Sequence, residues 1–244
     1  MRYVALATDY DGTIAHDGVV DAATVDALRR VRETGRRLLL VTGRERDDLF
    51  ATFDHTALFD LVVAENGALL YRPADNSSQV LAPEPPQALI ERLRTAGVPI
   101  SVGRSIVATI EPHEHAVLAA IRDLGLEWHV IFNKGSVMAL PAGVTKATGL
   151  TAALKELGLA AQNVVGVGDA ENDHAFLRLC GLSVAVANAL ESVKDEVDLV
   201  TVGARGAGVT ELIDRLLAND FADVMPHAEH HQPKQPTILS QPVN

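Results

Sequence analysis

Short apolar runs that end in small polar clusters recur along this chain, alternating with stretches of helical periodicity. Tyr3 to Thr8 is the first such run and ends at Asp9. Asp21 to Thr34 follows with apolar residues at Val25, Leu28 and Val31, a capping residue in Asp21 and a stop in Gly35. Leu38 to Val41 leads into Thr42-Gly43-Arg44, and Leu61 to Ala64 leads into the turn Glu65-Asn66-Gly67. After residue 141 the pattern resumes. A helix at Lys146 to Leu157, a strand at Val164 to Val167 before Gly168-Asp169, strands at Ser183 to Val186 and Leu199 to Val202, and a helix at Val209 to Leu217 complete it. The expected fold is α/β: a Rossmann-like parallel-sheet core with helices on both faces.

That pattern loosens between about Tyr71 and Pro86, where Asn76, Ser77, Ser78 and several prolines cluster. The stretch reads as a crossing into a second unit. Helices at Gln87 to Ala96 and Pro112 to Leu124, and strands near Pro99 to Val102, Ile106 to Ile110, Trp128 to Phe132 and Ser136 to Leu140, read as a small α/β cap of β-α-β-β-α-β type. Pro112 is placed for the first turn of its helix. The expected division is residues 1–72 and 142–218 for the core, 73–141 for the cap and 219–244 for a flexible tail. Its His227, His230 and His231 read as ordinary tail residues, not as a metal site.

The formal net charge of -11 disfavours nucleic acid and anionic membranes as partners. The N-terminus lacks a signal pattern, and no apolar run approaches the roughly 20 residues that span a bilayer, so a cytoplasmic protein is expected. The single cysteine, Cys180, sits among apolar residues and reads as a buried structural thiol. Oligomeric state is not legible.

Chemistry concentrates at the carboxyl ends of the strands, where open α/β sheets bind ligands. Asp9 and Asp11 are two apart after a strand and share one small space. At about 4 Å, their repulsion is roughly 4 kcal/mol at an effective dielectric near 20, so the pair needs a cation, a shared proton or separation. Gly12 permits a sharp turn and Thr13 adds a hydroxyl. Thr42, Lys146, Asp169 and Asp173 lie at the other polar clusters. Each alone has an ordinary explanation as a cap, turn or solvated residue; together they form one site with four carboxylates, a lysine and a hydroxyl. Such hard oxygen ligands suit Mg²⁺, and the lysine and backbone N–H groups suit phosphate oxygens.

Asp9-Tyr10-Asp11-Gly12-Thr13 resembles the first motif of the haloacid dehalogenase superfamily. Thr42-Gly43-Arg44 resembles its second motif, Lys146 its third, and Gly168-Asp169-Ala170-Glu171-Asn172-Asp173 its fourth in the Cof-type form. Glu65-Asn66-Gly67-Ala68, Val186-Ala187-Asn188-Ala189 and Gly208-Val209 resemble supporting stretches of that subfamily, so the likeness runs over about residues 1–218. It implies a cap inserted between the second and third motifs and a Mg²⁺-dependent phosphatase acting on a small phosphorylated metabolite. It implies that Asp9 is the nucleophile and a metal ligand. Asp11 would be the general acid and base, with its backbone carbonyl on the metal. Lys146 would offset charge, Asp169 and Asp173 would serve the metal, and Gly12, Thr42, Gly43, Arg44 and Asn172 would bind substrate. Tyr10 stands where an aliphatic residue or Phe is commoner in the family, and Ala147 where Gly is. Sugar phosphates and phosphoglycolate are among the candidate substrates, and the size of the cap resembles that of archaeal phosphoglycolate phosphatases.

Other readings compete. A receiver-type signalling domain shares clustered Asp, Thr and Lys but is about half as long and lacks the fourth motif. A phosphotransferase or phosphomutase would use the same core, and a silent binding protein would keep it without turnover. Arg44, Arg104 and Lys134 could meet a second anionic group on the substrate, though each reads first as a surface charge. His113 and His115 would not share a helix face, which argues against a metal site there.

Overall fold

The computed structural model describes residues 1–224. In chain order the elements are β1 (Ala5–Thr8), α1 (Ala22–Glu33), β2 (Arg37–Val41), α2 (Arg46–Thr52), β3 (Leu61–Ala64), β4 (Leu69–Arg72), β5 (Ser77–Val80), α3 (Gln87–Thr95), β6 (Ser101–Val102), β7 (Val107–Ile110), α4 (Glu114–Asp123), β8 (Trp128–Asn133), β9 (Ser136–Pro141), α5 (Lys146–Leu157), β10 (Val164–Gly168), α6 (His174–Leu179), β11 (Leu182–Ala185), α7 (Glu191–Lys194), β12 (Leu199–Val200) and α8 (Arg205–Asn219).

Two sheets organise them. The larger has eight strands in the order β12-β11-β10-β1-β2-β3-β4-β5. From β12 to β3 every pairing is parallel; β4 and β5 join antiparallel. The strands of its middle, β1, β2, β3, β10 and β11, are buried nearly throughout, which is why they read as continuous apolar runs. The chain enters at β1 in the centre, builds outward through β2 and β3, and after the cap returns to β10 on the other side of β1. The strand order therefore reverses at β1, and the crevice beyond its carboxyl end is the place where such sheets bind ligands.

The second sheet, β6-β7-β9-β8, is antiparallel throughout. One face carries Val107, Val137 and Ala139 against α3 and α4, packed on Leu89, Leu93 and Val117. From the other face Met138, Leu140 and, just before β7, Ile106 pack with Ala68 of the core. The cap order is α-β-β-α-β-β, not the β-α-β-β-α-β read from the sequence. Pro112 also lies before its helix, which begins at Glu114.

The core extends further than composition suggested. Residues 77–80 form β5, an edge strand of the large sheet, where a linker into the cap had been expected after residue 72. All four of its residues are exposed, so it has no apolar alternation to reveal it. The expected tail also begins too early. Asp220, just past α8, accepts hydrogen bonds from the Arg2 and Tyr3 backbone N–H groups and pairs with Arg36, and Phe221 is buried edge-on against Tyr3. The three tail histidines lie outside the described residues. No helix among the described residues is long and apolar enough to cross a membrane.

Burial alone would raise the Asp220 pKa, but the two N–H groups and Arg36 outweigh it and hold it below the ordinary carboxylate value. A lowered folded-state pKa gives stability that is present above the unfolded value and lost as pH falls through the folded one. Asp220→Asn, which keeps a residue tolerant of the left-handed backbone here, is expected to cost about 1–2 kcal/mol at neutral pH. The gap from wild type should close as pH drops below the carboxylate range, as urea titrations at a series of pH values would show.

Candidate active site

Asp9 leaves the end of β1 and is almost fully buried. Its backbone N–H donates to Val167 O at 3.0 Å, which ties the end of β1 to the end of β10. The next residues fold back tightly: Tyr10 O accepts from the N–H groups of Thr13, Ile14 and Ala15. Gly12 sits at φ +85°, and a β-carbon there would overlap the Asp169 carboxylate and the Lys134 ammonium. Only glycine lets this loop approach so closely. Tyr10 is accommodated because its hydroxyl donates to Gly18 O at 2.8 Å while its ring packs on Phe53.

Lys146 opens α5, whose cap residue Thr145 is joined to Thr148 in a reciprocal capping arrangement. A cation at a helix N-terminus is disfavoured by the helix dipole, and this one is buried as well. Two carboxylates compensate: Lys146 Nζ lies 2.5 Å from Asp9 Oδ1 and 2.6 Å from Asp173 Oδ1. Burial works against its charge, but Asp173 and Asp9 outweigh burial and hold the lysine pKa above its ordinary value. The loop after β3 braces this helix start. Gly67, at φ +109°, lies so close to Thr145 that a β-carbon would overlap the Thr145 carbonyl.

Asp169 and Asp173 follow β10. Asp173 Oδ2 accepts from the backbone N–H groups of Asp169 at 2.8 Å and Ala170 at 3.0 Å. Asp169 Oδ1 accepts from Thr13 at 3.1 Å, and its other oxygen pairs with Lys134. One oxygen each from Asp9, Asp169 and Asp173 lie within 4.8 Å of one another, and all three residues are buried. Such crowding is costly. Asp9 is pushed up to about 8 by burial and then by Asp173, against the opposing pull of Lys146. Asp169 is also raised, first by burial. The donors are hard carboxylate oxygens with no thiolate or imidazole among them, so the cluster fits Mg²⁺.

Asp11 stands apart from this cluster. Arg44 grips it in a two-pronged bond, Nε to Oδ2 at 2.7 Å and Nη2 to Oδ1 at 2.8 Å, and also holds Asp48. Arg44, expected to touch substrate, thus spends its fork on the chain's own carboxylates while still lining the cavity. Thr42 is buried just after β2 and accepts the Arg44 N–H at 3.1 Å. Asn172 donates to Asn66 at 3.0 Å, leaving Asn172 Oδ1 and Asn66 Nδ2 buried without partners among the described residues. Asn188 donates to Gly12 O and accepts from Arg205 N–H, joining the Asp9 loop to the start of α8.

Cap and core meet above these residues. A cavity of about 700 Å³ lies between them, with Asp9, Asp11 and Gly43 on the core side and Ile106, Ser136 and Met138 among its cap residues. Glu65 fastens the two units: its carboxylate accepts from the backbone N–H groups of Arg104 at 2.9 Å and Ser105 at 2.8 Å. Burial raises its pKa, and those two N–H groups oppose the rise. Sequence reasoning misses the role of Glu65, expected only as part of a turn, and the pairing of Lys134, a candidate for a second anionic group of the substrate, with Asp169. The strongest available signal for Lys134 was its place before Gly135 in a turn between two strands.

A family model described as haloacid dehalogenase-like hydrolase matches residues 6–111 and 122–213. The phosphoglycolate phosphatase 2 of Saccharolobus solfataricus is 29% identical over 229 residues, covering 89% of this chain and 94% of that protein. The phosphoglycolate phosphatase of Methanothermobacter thermautotrophicus is 30% identical over 223 residues, covering 87% and 98%. In structure the chain is similar to a haloacid dehalogenase-like hydrolase from Bacteroides thetaiotaomicron, with a TM-score of 0.76 at 20% identity, covering 88% of this chain and 99% of that one. A subclass IIB sugar phosphatase of the same superfamily aligns with a TM-score of 0.73 at 19% identity, over 87% and 98% of the two chains. The fold, the cluster at the end of β1 and a family match over most of the sequence agree, and this chain belongs to the haloacid dehalogenase-like hydrolases.

Proposed function

We propose that this chain is a Mg²⁺-dependent phosphomonoester hydrolase that works through an aspartyl-phosphate on Asp9. The observation that carries the proposal is the placement of Asp9. It is a buried carboxylate at the sheet's reversal point, bonded to Lys146 and crowded by Asp173, and it lines the cavity between core and cap. Asp9 and Asp169 would hold the metal directly, together with the backbone carbonyl of Asp11. Asp173 supports them from behind, because both of its oxygens already accept hydrogen bonds. When bound, the metal supplies positive charge against the phosphate and the carboxylates.

In the first half-reaction an Asp9 oxygen bonds to phosphorus as the ester P–O bond breaks, and Asp11 gives its proton to the departing oxygen. In the second half, Asp11 takes a proton from water, whose oxygen bonds to the same phosphorus. The Asp9–phosphorus bond breaks, releasing phosphate and restoring both residues. Lys146 holds Asp9 in place and offsets negative charge throughout. Thr42, the Gly12 and Gly43 backbones, and Asn172 with the unpartnered amide of Asn66 would engage the phosphate oxygens. The substrate is a small phosphorylated metabolite of the phosphoglycolate or sugar-phosphate class, a reading supported by the relatives and by a cavity in the size range of metabolite sites.

A panel of phosphomonoesters with Mg²⁺ tests this reading. Phosphate release is expected, stopped by EDTA and restored by Mg²⁺. Turnover that survives complete chelation, or transfer of the phosphoryl group to a sugar acceptor in place of water, would overturn it.

A further inference from the structure

The cap delivers one charged side chain to the heart of the core site. Lys134 and Gly135 form the two-residue tip between β8 and β9, with Asn133 paired to Ser136 on either side. Both tip residues are left-handed, at φ 48° and 84°, the pattern of the tight hairpin turns whose twist matches the strands. The tip therefore fixes where the Lys134 backbone stands and turns its side chain toward the core site. From it the ammonium spans to Asp169 and to the edge of Gly12, next to the residue proposed as the general acid.

The charges around it are already assigned. Asp9 and Asp173 share Lys146. Arg44 is held by Asp11 and Asp48. Glu45 also lines the cavity and accepts a hydrogen bond from Ser101. Lys134 pairs with Asp169; once the metal takes that carboxylate, the lysine, whose side chain is 44% exposed, is left with its charge open to a new partner beside the site. The phosphoryl group is met wholly from the core, by Lys146, Thr42 and the Gly12 and Gly43 backbones. The cap faces the rest of the substrate with Ile106, Ala108, Ile110, Met138, Ser136 and this lysine.

We propose that Lys134 is a specificity-determining residue that binds a second anionic group, a carboxylate close to the phosphoester oxygen, and so selects phosphorylated hydroxy acids over neutral phosphoesters. This rests on the phosphomonoesterase reading above and adds to it the cap residue that reads the leaving group. Its ammonium forms a charge-assisted hydrogen bond to the carboxylate, and a neutral leaving group offers it none.

The test compares 2-phosphoglycolate with ethyl phosphate, which replaces the carboxylate by a methyl group. Both are measured with wild-type protein and with Lys134→Ala and Lys134→Gln, at saturating Mg²⁺. The kcat/KM ratio of 2-phosphoglycolate to ethyl phosphate is expected to fall about 10- to 100-fold in both variants. Any change in metal affinity acts on the two esters alike and cancels in that ratio. A second readout is calorimetric binding of the same two esters to Asp9→Asn protein with and without Lys134→Ala; the preference for 2-phosphoglycolate should vanish with the lysine. A ratio that stays put in both assays overturns the role of Lys134 while hydrolysis itself stands. Absence of hydrolysis for both esters counts against the phosphomonoesterase reading, and the binding assay then decides on Lys134 independently.

Discussion

Asp9→Asn should lower kcat by a factor on the order of 10⁴ or more, with the fold intact. The amide keeps the shape of the side chain but cannot displace the ester oxygen and form the phosphoenzyme. The same substitution should leave a mark on stability that identifies the site independently of turnover. In metal-free protein the Asp9 pKa is pushed up to about 8 by burial and by Asp173, well above its value in an unfolded chain. Between those two values the folded state holds a proton that the unfolded state releases. Stability therefore falls as pH rises through this window and levels off above it. Asp9→Asn removes that slope, so the variant should match wild type only in acid below the ordinary carboxylate range, and its advantage should grow up to about pH 8 and then stay constant. Denaturant titrations in EDTA across that range would check it. A wild-type curve without the slope would mean that Asp9 is ionised throughout.

Lys146→Met should be the most destabilising of the site substitutions. Methionine fits the volume of the lysine stem, but above about pH 8, where Asp9 is ionised, Asp9 and Asp173 are then left buried together with no cation between them. Removing one partner from a buried ion pair costs about 3–5 kcal/mol, since the remaining charge is uncompensated. The double variant Asp9→Asn/Lys146→Met should regain part of that loss, because only one carboxylate remains to be neutralised. The interaction energy from the cycle would measure how strongly the three groups depend on one another. Additive effects, with no recovery in the double variant, would show that Lys146 stabilises the fold through its stem alone.

The sequence made the centre of the sheet legible because its strands are buried on both faces and read as unbroken apolar runs. Each run stops where the chain reaches the ligand-binding edge, so Asp9, Thr42 and Asp169 announced themselves as the first polar residues after a strand. Lys146 could be placed because it follows an apolar strand and opens a helical stretch, and the structure adds the cap, Thr145, that starts that helix. The edge of the same sheet was not legible. Every residue of β5 is exposed, and β4 was missed although the turn before it, where Glu65 and Asn66 take left-handed backbones, is legible as Glu65-Asn66-Gly67. Short, mostly exposed α2 carries charges where an amphipathic stripe would otherwise be visible.

What joins cap to core was hidden for a different reason. Glu65 meets backbone N–H groups some forty residues later, and Lys134 meets Asp169 across a gap of 35 residues. Contacts of that kind depend on how two folded units come together, and residue type alone does not encode them. Arg44 illustrates the reverse: its place in the second motif suggested substrate contact, yet Asp11 presents a carboxylate whose geometry matches the guanidinium fork. The packing at residues 219–224 escaped notice because one buried aromatic, Phe221, and one bonded carboxylate, Asp220, are too few to form a period.

The central claim is that a phosphoryl group passes through Asp9. Asp11→Asn protein, which should form the phosphoenzyme but hydrolyse it slowly, can be mixed with substrate and Mg²⁺, quenched in acid within one turnover, and treated with borohydride to convert any aspartyl-phosphate to homoserine. Peptide mass spectrometry then locates the modified residue. Homoserine at position 9, absent from a parallel Asp9→Asn sample, is the predicted result. Phosphate release with an unmodified Asp9 at every time point, or modification at another carboxylate, would contradict the account.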